Sequence, residues 1–410
     1  VGTLLDGCSA RPVRDAHVVY DATAIRYVGD AESPPSTQVL SPDQSAPDLI
    51  LSHHTLLPGL IEAHAHLFLE GGELDFEKRQ AYLKQSPVQL LNLARQRLEK
   101  LVRLGIMAVR DAGDKDGVGL ALNKLYHTAQ RPVMPYLDSP GAAINRKGRY
   151  GSFMAEPLEN HDSLRACVQA RVNARAYRIK IIPTGIINFK QGAVTSEPQM
   201  TGGEVVELVG AAKALDRQSF AHASGDKGIE VAIQGGVDTV EHGFFVRQDQ
   251  LARMRDRQIA WVPTFAPVQE QVDHAEQMGW DDSIKSNLQR ILDQHAKSLT
   301  KAHEMGVQIL AGSDAGSCGV AHGHGLLYEM ELMQRAGMPA IEVINAATGN
   351  SSERLGFSEK FGQIKPGYRS RMILTEHSPL AEVANLSKAK HSVYDGAAYW
   401  SSENDDRTGM

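Results

Sequence analysis

From about residue 57 to residue 314 the chain alternates short β-branched, apolar runs with longer stretches of helical periodicity, and it does so eight times. This alternation narrows the topology sharply, because strand–helix–strand units build a parallel sheet with helices on its faces. The strand candidates are 58–66, 105–111, 133–138, 177–183, 218–223, 237–242, 258–263 and 307–314. Between the first two, Leu90, Ala94, Leu98, Leu101 and Val102 recur every three or four residues and form one apolar stripe. Before another helix, Thr201 and Glu204 stand three apart, the spacing of a capping box. Eight such units without a break in composition favour an α/β fold of (β/α)8 TIM-like barrel type over two open sheets.

The two ends read differently. Residues 1–56 carry short alternating runs such as Ala16 to Tyr20, separated by the turn-rich Ser33-Pro34-Pro35-Ser36. Residues 366–400 are similar, with Met372, Ile373 and Leu374 following a Pro366-Gly367 turn. We expect one small β-sandwich module assembled from both segments, a barrel over 57–365 and a polar, disordered tail over 401–410.

Composition excludes several functional classes. A formal charge of −6, with no basic run interleaved with aromatics, offers no footprint for nucleic acid. No apolar run approaches the roughly 20 residues needed to cross a bilayer, so no membrane partner is expected. Cys8, Cys167 and Cys318 are scattered and odd in number, which argues against a disulfide framework or a thiolate metal site. A cytoplasmic location follows, although a chain beginning at Val1 leaves a removed export signal open.

Against this ordinary background, six residues stand out. His64 and His66 end the first strand candidate, and period-two geometry gives both imidazoles the same face. Lys180 interrupts the apolar run Ile179 to Ile182, where an ammonium needs a partner or a chemical modification. A lysine amine reacts with carbon dioxide to form a carbamate, whose two oxygens can bridge two cations. His222 and His242 occupy equivalent ends of successive strands. Asp314 ends the eighth and can both bind a metal and accept a proton. Any one of these residues is commonplace as a core histidine, a snorkelling lysine or a helix-capping aspartate. Their shared position at the strand ends, where barrel active sites gather, turns the set into a candidate metal centre. Imidazole nitrogen combined with carboxylate-type oxygen suits zinc, with cobalt, manganese and iron as alternatives.

At these residues the sequence resembles the amidohydrolase superfamily, over about Gly2 to Ala398. The resemblance rests on Pro58-Gly59-Leu60-Ile61-Glu62-Ala63-His64-Ala65-His66, Val109-Arg110-Asp111-Ala112-Gly113, Glu241-His242-Gly243 and Gly312-Ser313-Asp314-Ala315-Gly316. Within the superfamily it is most similar to the binuclear Xaa-Pro dipeptidase and imidazolonepropionase-like group. That resemblance implies two divalent ions: His64, His66 and Asp314 around the more buried one, His222 and His242 around the more exposed one, and carbamylated Lys180 between them. It also implies a homo-oligomer and a role for His324 in binding a substrate carbonyl or carboxylate. The sequence departs from the group in the loop after the third strand, where Arg146, Arg149 and Tyr150 become candidate substrate contacts. It departs again at Ser224, where relatives tend to carry tyrosine. Gly225 stands where the mononuclear deaminase branch usually has a glutamate, so deamination is the weaker enzymatic reading.

The expected reaction is hydrolysis of an amide or peptide-like C–N bond by a hydroxide held between the two ions, with Asp314 as general base and then general acid. Carbamates, ureas, esters and lactones are alternative substrates for the same site. A rival from another class is a silent amidohydrolase-like scaffold, which six filled ligand positions argue against.

Overall fold

The computed structural model describes residues 1–41, 46–388 and 390–401. Parallel strands interleaved with helices make up its larger part, as the alternation in the sequence requires. Leu60–Ala65 pairs with Ile106–Asp111, which pairs with Tyr136–Asp138. A second parallel run places Ala143–Asn145, Arg178–Ile181, Gln218–Ala223, Thr239–His242 and Ala260–Val262 side by side. The third strand candidate is thus the first of two pieces. Pro140, which has no N–H to give a ladder, and Gly141 at φ 61° separate Tyr136–Asp138 from Ala143–Asn145.

The eighth candidate departs from expectation as well, since 307–314 forms no continuous ladder. Ile309 makes a single bridge to Trp261 and Ala315 a single bridge to Ala65. Two local features interrupt pairing between those points. Gly312 lies so close to the first strand that a Cβ on it would stand 2.8 Å from the His64 nitrogen. Asp314 adopts a left-handed φ of 56°. The segment still bonds to neighbours on both sides, through Leu310 N–H to Trp261 O at 2.9 Å and Ala63 N–H to Ala311 O at 3.0 Å.

The helices follow their signals. Ser86 and Gln89 form a reciprocal capping box at the start of Pro87–Leu101, and Leu90, Ala94, Leu98 and Leu101 are its buried face. Each buried leucine contributes roughly 2 kcal/mol of transfer free energy, so this face outweighs the single cap. Thr201 and Glu204 likewise complete the box of Gly202–Ala214. No described helix is long and apolar enough to cross a membrane.

Both ends of the chain meet in one six-stranded sheet. Its order is Ala397–Ser401, Lys390–Tyr394, Arg371–Thr375, Thr55–Pro58, Thr3–Leu4 and Val13–Arg14. The hairpin of His17–Tyr20 and Ile25–Gly29 is separate in hydrogen bonding. Even so, Ile25 joins Leu4, Leu56, Met372, Leu374 and Val393 in a small core distinct from the main one. Of the expected disordered tail, Ser401 closes the last strand, and the rest lies outside the described residues.

Candidate metal centre

The six singled-out side chains are all buried. The His64 and His66 rings lie 5.5 Å apart between centroids. Asp314 Oδ1 is 3.5 Å from His64 Nε2 and 3.6 Å from His66 Nε2. These three residues can present ligand atoms within 4.8 Å of one another. The His242 ring extends the cluster, 5.1 Å from His64 and 4.4 Å from His222. Lys180 Nζ has no hydrogen-bond partner among the described residues and lies 4.6 Å from the centre of the Phe220 ring. Its charge acts on all four imidazoles and on Asp314.

Each histidine is anchored through one ring nitrogen. His64 Nδ1 meets Glu241 Oε2 at 2.5 Å, and His66 Nδ1 donates to Gly113 O at 3.1 Å. His222 Nε2 donates to Gly185 O at 3.3 Å, and His242 Nδ1 bonds the Thr264 hydroxyl at 2.8 Å. A backbone carbonyl only accepts, so the anchored nitrogens of His66 and His222 carry the proton and the opposite nitrogens carry lone pairs. Outer partners of this kind fix ring orientation and tautomer at metal sites. Asp314 is held in the same way, Oδ2 accepting from Ser317 Oγ at 2.8 Å.

Electrostatics point in one direction. Burial is the main force that lowers His66 and His222 to about 3 and drives His64 and His242 well below the ordinary imidazole value. At neutral pH all four rings are therefore uncharged, the state a metal requires. Burial also brings Lys180 down to about 8 and raises Asp314 to about 6. An amine so depressed spends an appreciable fraction of time unprotonated and nucleophilic. His242 and Asp314 sit at left-handed φ angles of 68° and 56°, and Thr264, which anchors His242, at 51°. Strain of about 1–3 kcal/mol at each such position is characteristic of functional sites.

The candidate substrate contacts fare unevenly. Tyr150 reaches the cluster, its ring 5.1 Å from His222, and burial together with the Asp314 charge pushes its phenol pKa up. Arg146 is committed to ion pairs with Glu159 and Glu204. Arg149 is exposed and donates to Glu197 O at 2.8 Å. His324 is exposed as the first residue of His324–Arg335, unlike the buried cluster. Arg110 and Glu241 stand in the sequence only as letters of the Val109–Gly113 and Glu241–Gly243 motifs. Their signal was the one that exposed Lys180, a charge inside an apolar strand.

Comparison with known proteins identifies the family. A profile of the amidohydrolase family matches residues 55–394. The ochratoxinase of Aspergillus niger is 25% identical over 420 aligned residues, covering 95% of this chain and 83% of that protein. Its crystal structure superposes with a TM-score of 0.78 at 23% identity, covering 97% of this chain and 94% of that one. A Xaa-Pro dipeptidase crystallised with methionine in its active site gives a TM-score of 0.80 at 26% identity, covering 98% of each chain. An uncharacterized protein of Mycobacterium bovis is 25% identical over 311 residues, 75% of this chain and 76% of that protein. With most of its length matched by the family profile, this chain belongs to the amidohydrolase family.

Proposed function

We propose that this protein is a metal-dependent hydrolase of C–N bonds in amide or peptide-like substrates, with two divalent cations held by His64, His66, Lys180, His222, His242 and Asp314. The observation that carries this reading is the anchoring pattern: four neutral imidazoles, each tied by one nitrogen, accompany a carboxylate and a buried amine that has no hydrogen-bond partner among the described residues. A buried polar cluster of this kind is costly in a protein interior unless it binds something. The similarity to an ochratoxinase and a Xaa-Pro dipeptidase supports amide-type substrates.

His64, His66 and Asp314 would hold one cation, His222 and His242 the other. Lys180 would bridge them as a carbamate, formed when its free amine adds to carbon dioxide and releases a proton. The cations, zinc foremost, would supply Lewis acidity and lower the pKa of a captured water. Asp314 then acts through its own oxygens, taking a proton and returning it to the departing amine. Ser317 steadies Oδ2 while Oδ1 faces the His64 and His66 pair. Tyr150, neutral and with its ring 5.1 Å from that of His222, is the leading protein donor to a substrate oxygen, and Arg146, Arg149 and His324 are further substrate contacts.

The same reading completes the architecture. The bonds from 309–315 to both Trp261 and the Leu60–Ala65 strand support an eight-stranded closed barrel over 57–365. The shared core of the terminal sheet and hairpin supports a two-layer β module from 1–56 and 366–400.

A metal assay combined with a substrate panel tests the function. Purified protein should retain about two transition-metal ions and hydrolyse N-acyl amino acids or dipeptides faster than matched ureas, carbamates, esters or lactones. Indifference to amides with efficient ester or urea cleavage would overturn the substrate class. Absence of both metal and turnover would favour an inactive scaffold.

A further inference from the structure

Two buried charges beneath the cluster, Arg110 and Glu241, have no part in the reaction described above. Glu241 Oε2 accepts from Arg110 Nη2 at 2.7 Å and meets His64 Nδ1 at 2.5 Å, while the Thr239 hydroxyl donates to Oε1. Arg110 is itself fixed by Nε to Ala63 O at 2.6 Å, by Nη1 to Thr239 Oγ1 at 2.8 Å and by the Phe220 ring face 4.4 Å away. Two adjacent strands from each of two separate ladders thus contribute to one interior ion pair. A buried pair of this sort gives little net stability over an apolar filling, so its presence calls for another role.

That role follows from the donors. A carboxylate already serving Arg110 and Thr239 acts as an acceptor toward His64, which places the proton on Nδ1 and the lone pair on Nε2. His64 Nε2 is buried, has no hydrogen-bond partner among the described residues and lies 3.5 Å from Asp314 Oδ1. The other three histidines rest on neutral groups, the carbonyls of Gly113 and Gly185 and the hydroxyl of Thr264. His64 alone is backed by a carboxylate.

We infer that Glu241, steadied by Arg110, is a positioning residue that fixes the His64 tautomer and strengthens Nε2 as a donor, making the cation at His64, His66 and Asp314 the more tightly held of the two. This inference rests on the metal-centre reading, and its test separates the two. In 15N-histidine NMR of the metal-free protein, His64 should carry its proton on Nδ1, and Glu241→Gln should erode that preference. In chelator competition with cobalt, Glu241→Gln should weaken the tighter equivalent by roughly 10–100-fold and leave the weaker one unchanged. The double variant Arg110→Met/Glu241→Gln removes the unpaired cation that the single change leaves behind. It should recover wild-type folding yet keep the weakened cobalt affinity. Wild-type affinity for both equivalents in Glu241→Gln, or recovery of tight binding along with folding in the double variant, would overturn this inference alone. Failure of the wild-type protein to bind cobalt would overturn the metal-centre reading and this inference with it.

Discussion

Replacing Lys180 with methionine should produce opposite effects on stability in the absence and presence of metal. Lys180 is fully buried, and burial lowers its pKa from 10.5 to about 8. At 1.36 kcal/mol per unit, holding the ammonium inside the fold costs roughly 3 kcal/mol. Because the folded value lies below the unfolded one, the unfolded chain carries the extra proton between about pH 8 and 10.5. Stability of the metal-free wild type therefore rises with pH through that window, and the penalty is full below it. Metal-free Lys180→Met, which keeps the chain length without the charge, should exceed wild type by roughly 3 kcal/mol at pH 7, with the advantage shrinking toward pH 10. With metal at about 1,000 times its dissociation constant, wild type gains about 4 kcal/mol, and a variant lacking the bridge gains much less, so the order reverses. Urea unfolding at pH 7 and pH 10, with chelator and with excess zinc, reads all four values. A variant less stable than wild type without metal, or equally stabilised by zinc, would refute the reasoning.

Other perturbations address separate parts of the account. Asp314→Asn should retain bound metal by elemental analysis while kcat falls by roughly 10²–10⁴, the span of a lost general base; near-normal turnover would remove Asp314 from the chemistry. Tyr150→Phe should leave metal content unchanged and lower kcat/KM about tenfold, the worth of one hydrogen bond to a developing charge. Glu329 accepts backbone N–H groups from Phe265 and Ala266, and burial raises it to about 8. Its folded pKa exceeds the unfolded one, so metal-free stability contributed by this group falls as pH rises from about 4.5 to 8. Glu329→Gln should therefore gain on wild type across that range in denaturant melts, whereas parallel curves would contradict the shift.

The parts of this molecule that were legible in its sequence are those governed by local periodicity. The Leu90–Leu101 stripe and the Thr201–Glu204 box are short-range patterns, and both are realised as read. Lys180 was visible because an ammonium in an apolar strand violates the pattern around it. Arg110 and Glu241 violate it equally, but their partners are 131 residues apart along the chain, and no local rule pairs them. The broken eighth strand was hidden for a similar reason. Gly312 and Asp314 depart from β geometry because of what the first strand places against them, a contact between residues some 250 apart in the chain. The loop after Asn145 was the least readable part. Three polar residues within five positions looked alike in sequence, yet only the Tyr150 ring turns to the histidines, while Arg146 is drawn off by two glutamates from other segments.

The central claim is that six groups distant in sequence share two cations. A crystal of the cobalt-loaded protein, with anomalous data collected on both sides of the cobalt edge, tests it most directly. Two anomalous peaks should appear, one within bonding distance of His64, His66 and Asp314 and the other beside His222 and His242, with density beyond Lys180 Nζ joining them. A single peak away from the histidines, or an unmodified Lys180 turned from both ions, would contradict it.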